Sequence, residues 1–248
     1  MKQFAPILLL LLSCATAPVA PPDAGALKQF LAACGSDIEK AKRVIIDNDL
    51  VKILTHLQAM DNGGKKYYLL ERETITALIR SVTEGAYSDF ILVNRSGTVV
   101  YTMNNNDLFA RNVVSGLKNT VLNACYENRK IRPYIGRTSL LPGDRLYTIP
   151  FSSSVSGANT MPGIFVLVVD ISKIQGIIGS RSFIIDSEGM YAVTRDRSKI
   201  NSRFPDFDKI NDAAPAEETP VRFTNSRGGA GWCQILRYGN LSWIIVTE

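Results

Sequence analysis

The chain is poor in the residues that carry most metal and acid–base chemistry. It has one histidine, His56, and four cysteines in 248 residues. A lone histidine on a helix is ordinarily a surface or packing residue, not a catalyst. No phosphate loop, dinucleotide fingerprint or zinc-ligand spacing occurs. Ser152-Ser153-Ser154 has no histidine and acid arranged with it, which argues against a serine hydrolase. No cluster supplies a nucleophile, a base and an orienting group together. No enzyme and no cofactor are therefore expected. Long apolar runs are missing too: none reaches the roughly 18 residues of a membrane-spanning helix. Neither sign of charge dominates. The 28 basic and 23 acidic residues leave a formal net charge of +5, too mild for a nucleic-acid binder. The 18 glycines follow no Gly-X-Y period, which excludes collagen.

What remains is the make-up of a globular protein, with 46% hydrophobic and 21% charged residues. Disorder needs lower hydrophobicity and a larger net charge. The length admits one large domain or two modest ones.

The first 14 residues, MKQFAPILLLLLSC, have the form of an export signal. Lys2 supplies a short positive start, and Ile7 to Leu12 an apolar core too short for a permanent anchor. Leu11-Leu12-Ser13-Cys14 resembles a bacterial lipobox, in which the cysteine is lipidated and becomes the new N-terminus. Ordinary cleavage after Ala15-Thr16-Ala17 is the rival reading. Residues 15–35 begin with the nearly uncharged ATAPVAPPDA, whose prolines predict an extended tether. The other cysteines, Cys34, Cys125 and Cys233, are spaced 91 and 108 residues apart and match no metal motif. One disulfide plus a free thiol and three buried thiols both remain open.

Beyond the tether, Ser36 and Glu39 form a capping box that predicts a helix over 36–60. A break is expected at Asp47-Asn48-Asp49, and a stop at Asn62-Gly63-Gly64. A second helix is predicted over 69–84. The period then becomes strand-like. Strands are expected at 89–94 and 98–103, joined by Arg95-Ser96-Gly97. A helix over 113–127, strands at 134–141, 145–151 and 163–170, and a helix over 171–179 follow. The order then repeats in shortened form, with strands at 182–186, 190–194, 221–225, 232–238 and 241–247. ILVNRSGTVVYT and FIIDSEGMYAVT are both an apolar strand, a polar turn with glycine, and a second apolar strand. Internal repetition of this kind decides architecture.

These residues resemble a double Cache domain, the extracytoplasmic PAS-like sensor module of bacterial receptors. The resemblance covers about residues 37–248. It is carried by the long first helix, by Phe183-Ile184-Ile185-Asp186-Ser187-Glu188-Gly189, by Gly163 to Ile171, and by Leu241-Ser242-Trp243-Ile244-Ile245-Val246. It implies an α+β fold: a long N-terminal helix, then two PAS-like modules, each an antiparallel sheet with flanking helices. The expected layout is a signal with lipobox at 1–14, a tether at 15–35 and N-terminal helices at 36–84. A membrane-distal module at 85–179 and a smaller membrane-proximal module at 180–248 follow.

The resemblance further implies a ligand pocket in the distal module. Asp170 lies at the place on the closing strand where an aspartate of amino-acid-binding members meets the ligand amine. Arg132, Tyr134 and Tyr147 are candidates for the remainder. An arginine there grips a carboxylate bidentately. The phrase Arg132-Pro133-Tyr134 departs from the family's Arg-x-Trp-Tyr. Two structural alternatives stand beside this: Asp170 as the N-cap of the following helix, and the tyrosines as half-buried strand aromatics. Arg129, Lys130, Arg132, Arg137 and Arg145 form a basic cluster that suits an anionic ligand or surface, or a solvated strand face.

The expected function is an exported, lipid-anchored sensor or binding protein that captures a small molecule, such as an amino acid or organic acid, without covalent chemistry. Family members pass their signal into an output domain after the last strand. Here the chain stops at Glu248, so an envelope protein partner is expected to receive it. The expected location is the cell envelope, on the periplasmic side or cell surface, held by lipidated Cys14. Otherwise the chain is secreted or periplasmic. The alternative is an envelope lipoprotein that binds no ligand and acts as a protein-interaction scaffold.

Overall fold

The computed structural model describes residues 20–62, 65–156, 163–213 and 218–248. The signal, Cys14 and the first part of the tether lie outside the described residues, as do Gly63-Gly64 and the turn expected at 157–160.

The first helix, α1, runs over Ala24–Asp47. It starts twelve residues before the expected Ser36, so the C-terminal half of the predicted tether is helix. Pro21 and Pro22 precede it, and Asp23 caps it by accepting the Gly25 N–H at 2.8 Å. The Ser36 capping box is therefore in mid-helix. Burial explains the early start. Leu27, Leu31, Cys34, Ile38, Ala41 and Ile45 repeat every three or four residues and are all buried, the stripe of an amphipathic helix. The expected break follows at Asn48-Asp49, where Asp49 has φ +51°. Helices α2 (Leu50–Met60) and α3 (Lys66–Arg80) complete the N-terminal layer.

The first sheet contains β1 (Asp89–Val93), β2 (Val99–Thr102), β3 (Tyr134–Ile135), β4 (Ser139–Leu140), β5 (Tyr147–Val155) and β6 (Gly163–Asp170). Its antiparallel order is β2-β1-β6-β5-β3, with β4 also on β5. Between β2 and β3, only Val121–Glu127 is helical (α4), capped by Thr120. The longer helix predicted from 113 does not form, because the Asn112 side chain takes the Val114 and Ser115 N–H groups into a turn. Helix α5 (Ile171–Ile178) follows β6.

The second sheet contains β7 (Ser182–Asp186), β8 (Tyr191–Val193), β9 (Val221–Thr224), β10 (Ala230–Tyr238) and β11 (Leu241–Thr247), in the order β8-β7-β11-β10-β9. A 3₁₀ turn at Arg197–Lys199 and helix α6 (Phe207–Ala213) lie between β8 and β9.

The two sheets share one path: a leading hairpin, then the last strand against the first, then the strand before it, then an outer strand, which in the first sheet is β3 with β4 beside it on β5. The likeness extends to atoms. In the first hairpin the Asn94 side chain accepts the Ser96 and Thr98 N–H groups. In the second, Asp186 accepts those of Glu188 and Met190. Gly97 and Gly189, three residues on, both have φ +80°, a conformation glycine adopts without steric cost. Each leading hairpin also carries a register shift, at Leu92/Val93 and at Ile184/Ile185.

One core runs through both modules along α1. Leu27, Ile38 and Ile45 pack with Leu92, Phe151, Phe165 and Leu167 of the first sheet and with Ile184, Leu236, Trp243 and Ile245 of the second. A second apolar layer lies on the opposite face of the first sheet. A third, with Tyr191, Phe204 and Phe223, covers the opposite face of the second sheet. Asn240 in the β10–β11 turn joins the modules. Its amide takes both the N–H and the C=O of Ile135, each at 2.8 Å. The three described cysteines are free and buried. Burial pushes Cys34 up to about 11 and Cys125 up to about 12, so both are packed thiols and not reactive thiolates.

Candidate ligand-binding site

The residues singled out by the resemblance do not converge. Asp170 ends β6 opposite Thr148. Its carboxylate accepts the Ser172 N–H at 2.8 Å, so it caps α5. Tyr147 neighbours that end and packs on the α1-side core. Tyr134 pairs with Ser152, further along β5, and packs on the opposite layer. The two tyrosines thus serve opposite faces. The layer on the Tyr134 side is filled with side chains: Ile91, Val93, Val99, Leu108, Val113, Leu117, Leu122, Cys125, Leu141, Ile164, Val166 and Val168.

The Asp170 end of the sheet is acidic and saturated. Asp89, buried at the start of β1, accepts the Met103, Asn104 and Asn105 N–H groups and the Thr102 hydroxyl, at 2.7 to 3.2 Å. Desolvation nevertheless raises its pKa above the ordinary carboxylate value. Asp144 accepts the Asn105 amide at 3.0 Å. Burial, and secondarily the Asp89 charge, push it up to about 6.

The other end is basic and open. A cavity of about 320 Å³ is lined by Arg95, Tyr126, Arg129, Lys130, Arg132, Ser154, Ser156 and Gly163. Its walls come from separate segments. Arg95 stands in the β1–β2 turn, and Arg129, Lys130 and Arg132 follow α4. The Tyr126 hydroxyl donates to the Arg95 carbonyl and ties these two segments together. Arg129 lies over the Tyr126 ring at 4.6 Å and donates to the Tyr126 carbonyl at 2.8 Å. Gly163 opens β6 here, where a Cβ would stand 2.2 Å from the Val93 carbonyl oxygen. Only glycine lets the two strands approach this closely.

Of the residues predicted for a site, Arg132 is the one that reaches this cavity. The basic cluster divides: Arg129, Lys130 and Arg132 line it, whereas Arg137 pairs with Glu188 of the second module at 2.7 Å. Sequence reasoning missed Arg95 and Ser154. Arg95 belongs to Arg95-Ser96-Gly97, a motif that announces only a turn. Ser154 is nine-tenths buried, and its hydroxyl has no hydrogen-bond partner among the described residues. A smaller cavity, about 100 Å³, lies at the module joint beside Arg137, Thr138 and Trp243. His56 is exposed on α2. No group of three or more metal-ligating side chains occurs among the described residues. No described helix is long and apolar enough to cross a membrane.

No family model matches the chain, and no curated protein matches it. Solved structures do. The ligand-binding domain of the Pseudomonas fluorescens chemoreceptor CtaA with L-leucine matches at a TM-score of 0.59 and 12% identity. The match covers 90% of this chain and 88% of that one. The L-isoleucine complex of the same domain matches at 0.57 and 12%, covering 90% and 85%. The ligand-binding domain of the Pseudomonas aeruginosa amino acid chemoreceptor PctB with L-Gln matches at 0.51 and 12%, covering 89% of each chain. At such identity the likeness is one of fold. Two hairpin-led antiparallel sheets of equal strand order behind one long helix give this chain the double Cache, PAS-like α+β fold of chemoreceptor ligand-binding domains.

Proposed function

We propose that this protein is a Cache-type sensor or binding protein that captures a small molecule non-covalently in its first module. The observation that carries this reading is the cavity of about 320 Å³ lined by four cationic side chains and a buried serine whose hydroxyl has no partner among the described residues. Its volume falls within the range of small-molecule pockets. The matched chemoreceptor domains, which hold L-leucine and L-Gln, support a ligand-binding role. We take the modules as residues 85–179 and 180–248. Lipidation of Cys14 would hold the chain at the cell envelope, and a partner protein there would receive the signal. Helix α1 packs against both modules, which suits it to carry a change from one to the other.

A thermal-shift screen of the full chain over amino acids, organic acids, amines and purines tests the binding role. Stabilisation by one class is expected; none from any class would overturn it. The anchor has a separate test. Cys14→Ala is expected to release the protein from membranes, and unchanged membrane association would refute lipidation. The scaffold reading has its own support, because the layer opposite α1 is packed solid with aliphatic side chains. Recovery of one envelope protein with the chain, together with an empty ligand screen, would favour it.

A further inference from the structure

We propose that the basic cavity at the Gly163 end of the first sheet is a site for a small oxyanion with at least two negative charges, carried on carboxylate or phosphoryl groups. This inference rests on the ligand-binding reading above and names the class of ligand for that cavity.

Three observations carry it. First, Arg95, Arg129, Lys130 and Arg132 surround one cavity, and among the described residues no acidic one lines it. None of the four has a carboxylate within salt-bridge distance among the described residues. Like charges gathered around a concave surface repel one another and raise the local concentration of anions. Second, the cations are partly preorganised. Arg129 lies over the Tyr126 ring and donates to the Tyr126 carbonyl, and the Tyr126 hydroxyl donates to the carbonyl of Arg95. Planar guanidinium groups match carboxylate and phosphate oxygens in bidentate fashion. Third, Ser154 lines the cavity, and its hydroxyl is buried without a partner among the described residues. Its neighbour Ser152 donates to the Tyr134 carbonyl at 3.4 Å. A ligand oxygen would complete the Ser154 hydrogen bond, and buried polar groups rarely lack one.

The same cavity is unsuited to a free amino acid. An ammonium group needs a carboxylate or carbonyl array, and the cavity offers cations instead. The aspartate assigned to that task by resemblance, Asp170, lies seven residues along β6 from Gly163, about 23 Å at strand rise. It is already engaged with α5.

Isothermal titration of the full chain decides the matter, with citrate and inorganic phosphate as anionic probes and glycine and L-leucine as zwitterions, at matched ionic strength. Citrate is expected to bind more tightly than phosphate, and the zwitterions not to bind. Raising sodium chloride from about 0.05 to about 0.3 M should weaken citrate binding severalfold, because the cations are exposed. The double variant Arg95→Ala/Arg132→Ala should weaken it by about tenfold or more. Ser154→Ala should weaken it by about threefold to tenfold. Arg95→Gln/Arg132→Gln serves if the alanine pair does not fold. Arg181→Ala, outside the cavity, should leave binding unchanged. Citrate affinity that is equal in the double variant and the parent would overturn the site, since net charge alone would then explain binding. Binding of L-leucine through Arg95 and Arg132 would overturn the anion class and leave the ligand-binding reading standing. Association with phosphatidylglycerol vesicles but not with citrate would overturn it in favour of a membrane surface. A chain that binds none of these probes, nor any compound in the wider screen, would overturn both readings.

Discussion

The two ends of the first sheet carry opposite charge and opposite degrees of satisfaction. At one end Asp89, Asp144 and Asp170 each accept at least one hydrogen bond from the protein, and Asp89 accepts from four successive residues, Thr102 to Asn105. At the other end Arg95, Lys130 and Arg132 project from turns and have no carboxylate partner among the described residues, beside a buried hydroxyl with no hydrogen-bond partner there. The contrast separates polarity that the chain itself satisfies from polarity that it leaves open. A charge whose hydrogen bonds are already made by its own chain has little left for a ligand. Charges held together and left unpaired repel one another, and a bound counter-charge relieves that cost.

The largest effect is expected at Asp89. Asp89→Ala strips partners from buried backbone and hydroxyl donors and should cost about 3 kcal/mol or more in urea unfolding. A loss below about 1 kcal/mol would mean that this end is not held together by its acid. Asp170→Ala should cost about 1 kcal/mol through loss of the α5 cap, with citrate affinity unchanged. A fall in that affinity would erase the distinction between the ends.

Asp144 makes the comparison sensitive to pH. Its folded pKa is raised to about 6 from 3.8, so the folded state holds the proton more tightly than the unfolded state in that window. Its contribution to stability is therefore greatest below about pH 4 and is lost as pH rises through about 6. With solvent screening of this partly exposed group, the loss is about 1 kcal/mol. Asp144→Asn should flatten unfolding free energy between pH 4 and pH 7. An unchanged slope would place the titration elsewhere. The smallest effect belongs to the basic end. Arg132→Ala should change stability by less than about 0.5 kcal/mol, as exposed positions do, while it weakens anion binding. A large destabilisation there would give Arg132 a structural role and sink the comparison.

Much of the fold is legible in the sequence. The turns at Asn94–Gly97 and Asp186–Gly189 are built by residues four apart or fewer, so their chemistry shows in the chain itself. The start of α1 was not legible. The stretch 24–35 contains Gly25, Gly35 and four alanines after a proline-rich run, and looks like linker. Contacts made by Leu27, Leu31 and Cys34 with distant strands settle it as helix. The helix predicted from 113 failed for the reverse reason, since Asn112 and Thr120 impose local turns that a period of apolar residues does not reveal.

The candidate site divides in the same way. Arg129, Lys130 and Arg132 are neighbours in sequence and could be picked out as a basic cluster. Arg95 joins them across 34 residues through a single tyrosine hydroxyl, and no pattern along the chain announces such a bond. The isolation of Ser154 and the filling of the layer near Tyr134 are likewise properties of packing.

Strand alternation, turn residues and the repeat are short-range, so the order of residues alone was enough for two hairpin-led modules behind a helix. Which charges end up paired and which face a cavity depends on which distant segments the core presses together. That was decided only when α1 and the two sheets closed on one another, because burial and hydrogen-bond satisfaction belong to the packed whole and not to any one segment.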